Sequence, residues 1–396
     1  METPRNSPLR ILATILDLDA GQARVLRSDM QELEVPVDLS RFDSTERIAS
    51  ATYVPELNGL YVVTKLGDEI LAECPSLESA SPRNGRITIY LDQKDWRTLR
   101  DTRFDPESVS PSEEREAAES LMALVTERRA ILPFSSAHLM ETTKWPDGAR
   151  RYQLGLTILQ LSRGWQLRDP LAVREAEVRA ALTHRGQVSD LSAANVVTLE
   201  PNAASAGRYA GYRPSPQLPP EHDLATRAVA SLCAYFSTML DEEALDPDDV
   251  AGWARGQQQL SDWMVRERPS RQVADSTLDS FFLQDSAYEI RRASRATGIS
   301  QSQLQAWTEH GAARDVPLMP SLGLFREVLR ERHLNGRDSW KQSDLTDMVY
   351  LTCAAGYVDH VVGERHFGHH LRKAASRLGR EVSVNRSLRE LMGRIG

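Results

Sequence analysis

The stretch RITIYLDQKDW, residues 86–96, decides how this chain is read. Ile87 to Leu91 is almost wholly apolar and gives way at once to Asp92, Lys94 and Asp95. A short apolar run preceded by a turn signal, here Asn84-Gly85, fits a strand covered on both faces in a parallel sheet. In open parallel sheets, ligand sites lie beyond the carboxyl ends of the strands. Asp92 occupies such a place, and a carboxylate beside a buried strand end is costly without a partner.

Further along the chain, residues 113–129 read as a helix and ILPF (131–134) as a second short buried strand. Ser135 and Ser136 are N-cap types for a helix running through Glu141 and Lys144. ARRYQLGLTILQLSRG reads as another helix, stopped at Gly164. Near the other end, SDLTDMVYLTCAAGYVDHVVGERHFGHHLRKAASRLGR predicts three elements. They are a helix capped by Ser343 and ended at Gly356, the strand VDHVV, and a basic helix. Strands alternating with helices around both segments predict an α/β parallel sheet flanked by helices and assembled from distant parts of the chain.

Before that sheet, residues 8–75 read as short strands broken at Asp19-Ala20-Gly21, Pro36 and Gly59, a spacing that suggests a small β-barrel or sandwich. Residues 183–222 turn irregular, with loop composition in PNAASAGRYAGYRPSPQLPPEHD, and 223–335 carry helical periodicity without a fixed repeat. The expected organisation is a small β-barrel-like all-β domain over 1–80 and the first half of the α/β domain over 86–182. A mainly helical insertion over 183–317 and a second half over 318–396 complete it.

The 396 residues, 41% hydrophobic and 26% charged, exclude a collagen, a long disordered tail and a disulfide miniprotein. No apolar run approaches the eighteen or so residues of a membrane span, so no membrane partner is expected. Cys74, Cys233 and Cys353 lie far apart and match no metal-ligand spacing, which points to a reducing, cytoplasmic compartment. The net charge of −8 is uneven. Residues 1–80 hold 7 Lys and Arg against 14 Asp and Glu; residues 361–396 hold 8 against 3, with three His besides. The basic end suits a polyanion through phosphate neutralisation, and is equally an ordinary solvated helix composition. The acidic β-domain lacks a dense aromatic and basic face, so docking or regulation is its expected role.

Acids recur at strand ends and helix starts: Asp92, Glu141, the pair Asp344 and Asp347 on one helix face, Asp359 opening VDHVV, and Glu364 after it. Converging carboxylates repel one another unless protons or cations neutralise them, and hard oxygen ligands suit Mg²⁺ or Mn²⁺. Asp344 also reads simply as a first-turn acid that favours the helix dipole. His138, one turn before Glu141, would orient it or a phosphate, or be a half-buried capping histidine. His366, His369 and His370 have helical spacing, but no cysteine or further acid completes a zinc site, so a solvated or phosphate-facing surface is preferred. Lys144, Arg150 and Arg151 on one side, and Arg365, Arg372 and Lys373 on the other, are candidates to hold a substrate backbone. Trp96 and Tyr152 would stack a base or pack the core.

Taken in order, LDQKDW (91–96), SSAHLMETTK (135–144), SDLTDM (343–348) and YVDHVVGERHF (357–367) resemble the PIN-like nuclease superfamily. The likeness covers about residues 86–182 and 318–380, and is nearest to larger relatives with a Ser-His-Glu-Thr helix segment. It implies that Asp92, Glu141, Asp347 and Asp359 are the catalytic, metal-holding acids, with Asp344 competing for the third place. It further implies Mg²⁺ or Mn²⁺ as cofactor, a metal-dependent ribonuclease activity, RNA as partner, and room for an inhibitor or partner protein. Two features depart from the pattern. The insertion is long, and Gly363-Glu364-Arg365 stands where many members have Thr-x-Asp, so either Glu364 replaces that acid or the fourth position is partly degraded. A metal-site-decayed nucleic-acid-binding or regulatory protein, and an interaction scaffold, are the competing expectations; a zinc hydrolase is more distant, for want of His-Glu-x-x-His or paired cysteines.

Overall fold

The computed structural model describes residues 9–42, 44–184, 196–205, 218–241, 250–335 and 339–395. The amino-terminal part is a six-stranded antiparallel sheet of β1 (Ile11–Asp17), β2 (Gln22–Arg27), β3 (Glu32–Pro36), β4 (Ile48–Val54), β5 (Gly59–Thr64) and β6 (Glu69–Glu73). Their order is β3-β2-β1-β4-β5-β6. Alternation places Leu60, Val62, Ile70 and Ala72 on the buried face, as the period of two requires. Gly67, at φ +86°, makes the tight turn between β5 and β6. Among the described residues β3 and β6 do not pair, so the expected barrel is an open sheet. The reason lies elsewhere in the chain: helices of the α/β part, not the sheet itself, cover its apolar face.

Those helices belong to an α/β layer. β7 (Ile87–Leu91) is followed by α1 (Gln93–Phe104), α2 (Ser112–Thr126), β8 (Ala130–Ile131), α3 (Ser136–Thr143), α4 (Gly148–Ser162), β9 (Gln166–Leu167) and α5 (Pro170–His184). β10 (Val197–Thr198) pairs antiparallel with β9, giving a strand inside the segment expected to be irregular. The rest of that expected loop, 185–195 and 206–217, lies outside the described residues. The helices α6 (Pro220–Leu240), α7 (Val250–Glu267), α8 (Arg271–Asp285), α9 (Ala287–Thr297), α10 (Gln301–Ala306) and α11 (Ala312–Asp315) form the expected helical region. Then come α12 (Pro320–Leu334), α13 (Ser343–Tyr357), β11 (His360–Val362), α14 (Arg365–Arg377), β12 (Ser383–Asn385) and α15 (Leu388–Ile395). Gln342 stands at the N-cap of α13 in place of the expected Ser343.

The predicted parallel sheet is present in four strands, ordered β12-β11-β7-β8. Val362 is in register with Leu91 on one side and Asn385 on the other, so Leu91 and Val362, 271 residues apart in sequence, end side by side. The central β7 is buried from Thr88 to Leu91, which explains its almost wholly apolar run. α1 was not legible in the sequence because DQKDWRTLRDTRF places only Trp96 and Leu99 in the core among many charges.

The β-sheet does not have a core of its own. Leu60, Val62 and Ile70 share one apolar cluster with Leu91, Trp96, Leu154 and Phe236. A second cluster joins Tyr90, Val361 and Val384 to Phe325, Leu351 and Leu371 on the other face. Polar ties reinforce the first junction. The Tyr152 hydroxyl on α4 donates to Asp68 at 2.6 Å, and His222 on α6 meets Thr14 of β1 at 3.0 Å. No described helix is long and apolar enough to cross a membrane.

Candidate functional site

At the carboxyl edge of the parallel sheet, Asp92 caps α1: its carboxylate accepts the Gln93 N–H at 2.8 Å, while its own N–H donates to the Val362 carbonyl at 2.9 Å. Asp92 thus bridges the ends of β7 and β11. A side chain at Gly363 would meet the Asp92 Cβ at 3.9 Å, and Glu364, one residue on, is the N-cap of α14. Glu141 projects from α3 and Asp347 from the second turn of α13.

Short hydrogen bonds hold these elements together. His138 Nδ1 accepts the Ser135 N–H at 3.0 Å, and its Nε2–H donates to the Leu91 carbonyl at 2.8 Å. One imidazole therefore starts α3 and fastens it to the end of β7. Gln93 donates to the Thr142 hydroxyl at 3.0 Å, tying α1 to α3. The hydroxyls of Ser136 and Tyr350, 2.6 Å apart, join α3 to α13.

The electrostatics follow from this convergence. Burial first, then Asp92, pushes the Glu141 carboxyl up to about 7, with Glu364 adding to the effect and Arg97 and Lys144 opposing it. Burial, then Asp92, Glu141, Asp344 and Glu364, pushes Asp347 up to about 7. Asp92 is itself raised by burial and Glu364, against the Gln93 N–H, Lys94 and Arg97. Asp95, only 2% exposed, is pushed up to about 8 by burial and then by Asp92. Asp92, Glu141, Asp347 and Glu364, from four elements, are therefore near enough to act on one another electrostatically. Among the described residues, however, no three His, Cys, Asp or Glu side chains stand so as to hold a metal ion together.

The expected fourth acid, Asp359, is not among them. It precedes β11 rather than following it, and its carboxylate accepts the Thr88 N–H at 2.7 Å and the Thr88 hydroxyl at 2.8 Å. Thr88 lies four residues before Asp92 on β7, so Asp359 sits at the opposite end of the sheet, roughly 13 Å away at ~3.3 Å per residue. Asp344 is engaged elsewhere, accepting from Arg332 at 2.8 Å and from the Lys341 N–H at 2.7 Å.

Of the expected substrate contacts, His138 is instead a buried positioning residue, and burial lowers its pKa to about 3, so the ring is neutral. Arg151 is buried and donates to the Trp145 carbonyl at 2.9 Å. Lys144 and Arg365 are both exposed, and Lys144 acts on Glu141. Arg150 leans toward Asp147 at 3.8 Å, and Lys373 donates to Glu331 at 2.7 Å on a different surface. Trp96 is fully buried, so its role is core packing. On α14 the His370 ring meets those of His366 and His369, and His370 is buried, so the solvated surface expected for all three is not formed by His370.

Two residues escaped the sequence reading. Arg97 and Asp95 sit one turn into the unrecognised α1; Arg97 stacks over Trp145 at 4.9 Å while acting on both Asp92 and Glu141. The signal was available in Asp92 as an N-cap type opening Gln93-Lys94-Asp95. The chain matches no protein-family model, no curated protein and no solved structure.

Proposed function

We propose that this protein is a metal-dependent nuclease of PIN-like design that hydrolyses RNA phosphodiester bonds, with Asp92, Glu141, Asp347 and Glu364 as its acids. The observation that carries this reading is the convergence of those carboxyls, from β7, α3, α13 and the β11–α14 junction, at the carboxyl edge of a parallel sheet. The donor chemistry fits a hard divalent cation: every group is a carboxylate, and their mutual repulsion is what such a cation would relieve. Mg²⁺ or Mn²⁺ held there would supply a water of lowered pKa and neutralise charge on the phosphate.

The chain's own residues do the rest. Lys94, Arg97 and Lys144 act on the acids and would orient the phosphodiester as point charges and hydrogen-bond donors, with Arg365, next to Glu364 in the chain, as a further candidate. His138, locked neutral between Ser135 and Leu91, takes no part in proton transfer and keeps Glu141 aligned with Asp92. Preference for RNA comes from the family likeness.

One observation favours a second reading, a nucleic-acid-binding or regulatory protein without cleavage: the described acids are not preassembled as a metal-holding group. The test is Mn²⁺ titration by calorimetry, beside cleavage of labelled RNA, for wild type and an Asp92→Asn, Asp347→Asn double variant. Binding and cleavage by wild type alone support the nuclease. Equal behaviour of the two proteins sinks it and leaves the second reading.

A further inference from the structure

Beyond the acid cluster, the open edge of β12 carries three arginines, from α14, from the turn after β12 and from α15. β12 is the last strand of the parallel sheet, and Asn385 turns its main-chain oxygen inward to accept the Gly363 N–H at 3.1 Å. Val384 has its carbonyl on the outer side, where Arg372 of α14 donates to it at 3.2 Å. Arg394 of α15 reaches the neighbouring Ser383 hydroxyl at 3.5 Å. Arg386 leaves the end of the strand, is exposed, and makes no described side-chain hydrogen bond.

These guanidinium groups feel one another: burial, then Arg386, lowers the Arg372 pKa, with Arg394 adding to it. Glu390 is the neighbouring acid, and it is already engaged by Arg394 at 2.8 Å and by the Arg386 N–H at 2.9 Å. With Glu390 paired to Arg394, the Arg372 and Arg386 guanidinium groups have no carboxylate hydrogen-bonded to them among the described residues, an arrangement that a bound anion relieves. The amino terminus of α15 is not the receptor, because Glu114 already accepts the Leu388 N–H at 2.7 Å.

We propose that Arg372, Arg386 and Arg394 form a phosphate subsite that receives the nucleic-acid backbone next to the acid cluster. β12 is two strands from β7, so the end of β12 lies roughly 10 Å from that of β7 at ~4.8 Å per strand. A single strand crossing the carboxyl edge of the sheet thus passes from Lys144 and Arg97, over the acids, to Arg386. The subsite rests on the nuclease reading only for this path, since its anion chemistry stands on the arginines themselves.

The test uses a short fluorescent single-stranded oligoribonucleotide, without divalent cations, and anisotropy across a salt series. Arg386→Ala, whose side chain supports nothing in the fold, is expected to weaken binding roughly tenfold at low salt and to reduce the salt slope by about one contact. Arg386→Lys should restore most of the slope, and Arg271→Ala, an exposed arginine on α8, should leave it unchanged. An unaltered slope in Arg386→Ala overturns the subsite, as does failure of wild type to bind. Cleavage by wild type with unaltered Arg386→Ala binding would remove the subsite and keep the nuclease. Arginine-dependent binding without cleavage would do the reverse.

Discussion

Two buried carboxylate environments in this molecule differ in their partners. Glu177 on α5 is completely buried, and it accepts the Ser321 N–H at 2.7 Å, the Leu322 N–H at 2.9 Å and the Tyr357 hydroxyl at 2.7 Å. It closes the amino terminus of α12, where main-chain donors would otherwise be orphaned. Glu141 and Asp347 have other acids as neighbours instead. Burial raises the pKa in both environments, so burial alone does not mark a site. The neighbours make the distinction: donors surround Glu177, as they do a structural acid, whereas like charges surround Glu141 and Asp347, the pattern on which the proposed site rests.

The sharpest way to break that comparison is to remove one charge from each environment. Asp92→Asn is expected to lower RNA cleavage roughly 1,000-fold, about 4 kcal/mol of transition-state stabilisation, while leaving the fold intact by circular dichroism. Glu177→Ala should do the opposite. Three buried donors lose their acceptor, so chemical denaturation should show a loss of about 3 kcal/mol, with activity per folded molecule retained. If Glu177→Ala abolished cleavage in protein that remains fully folded, or Asp92→Asn merely unfolded the chain, the two environments would not be different in kind.

The pH dependence sharpens the contrast in the metal-free protein. Burial and neighbouring acids push Glu141 and Asp347 up to about 7 in the folded chain, well above an exposed carboxylate, and Asp95 up to about 8. The folded chain therefore holds protons that the unfolded chain has released, and stability falls as pH rises from about 4 through 8. Asp347→Asn removes one contribution to that loss. Thermal melts at pH 8 without divalent cations should show it more stable than wild type by on the order of 2 kcal/mol, with the advantage gone at pH 4. A melting temperature equal to wild type at both pH values would mean that the acids do not repel one another.

How much of this could be read from the chain alone follows the same physics. The parallel sheet was legible because β7 is buried from Thr88 to Leu91 and VDHVV supplies its neighbour. Asp92, Glu141 and Asp347 were legible from their places at a strand end and on helix faces. α1 was hidden by its charges, and β12 by its three-residue length. The barrel failed as an expectation because periodicity reports which face of a strand is buried, not what buries it; here helices do. Asp359 failed for a related reason. An acid beside an apolar strand can precede it or follow it, and only the direction of β11 within the sheet decides which end carries the site.

That last point is the smallest effect to measure and the most discriminating. Asp359 is exposed and accepts two hydrogen bonds from Thr88, so Asp359→Ala should cost about 1 kcal/mol of stability and leave cleavage unchanged. Glu364→Gln should show the reverse: stability within a few tenths of a kcal/mol of wild type, and a clear drop in metal-dependent cleavage. The pair is matched, since both acids flank the same three-residue strand and differ in which end they occupy. Loss of cleavage in Asp359→Ala with Glu364→Gln unaffected would put the reacting phosphate at the other end of the sheet, away from Asp92, Glu141 and Asp347 together.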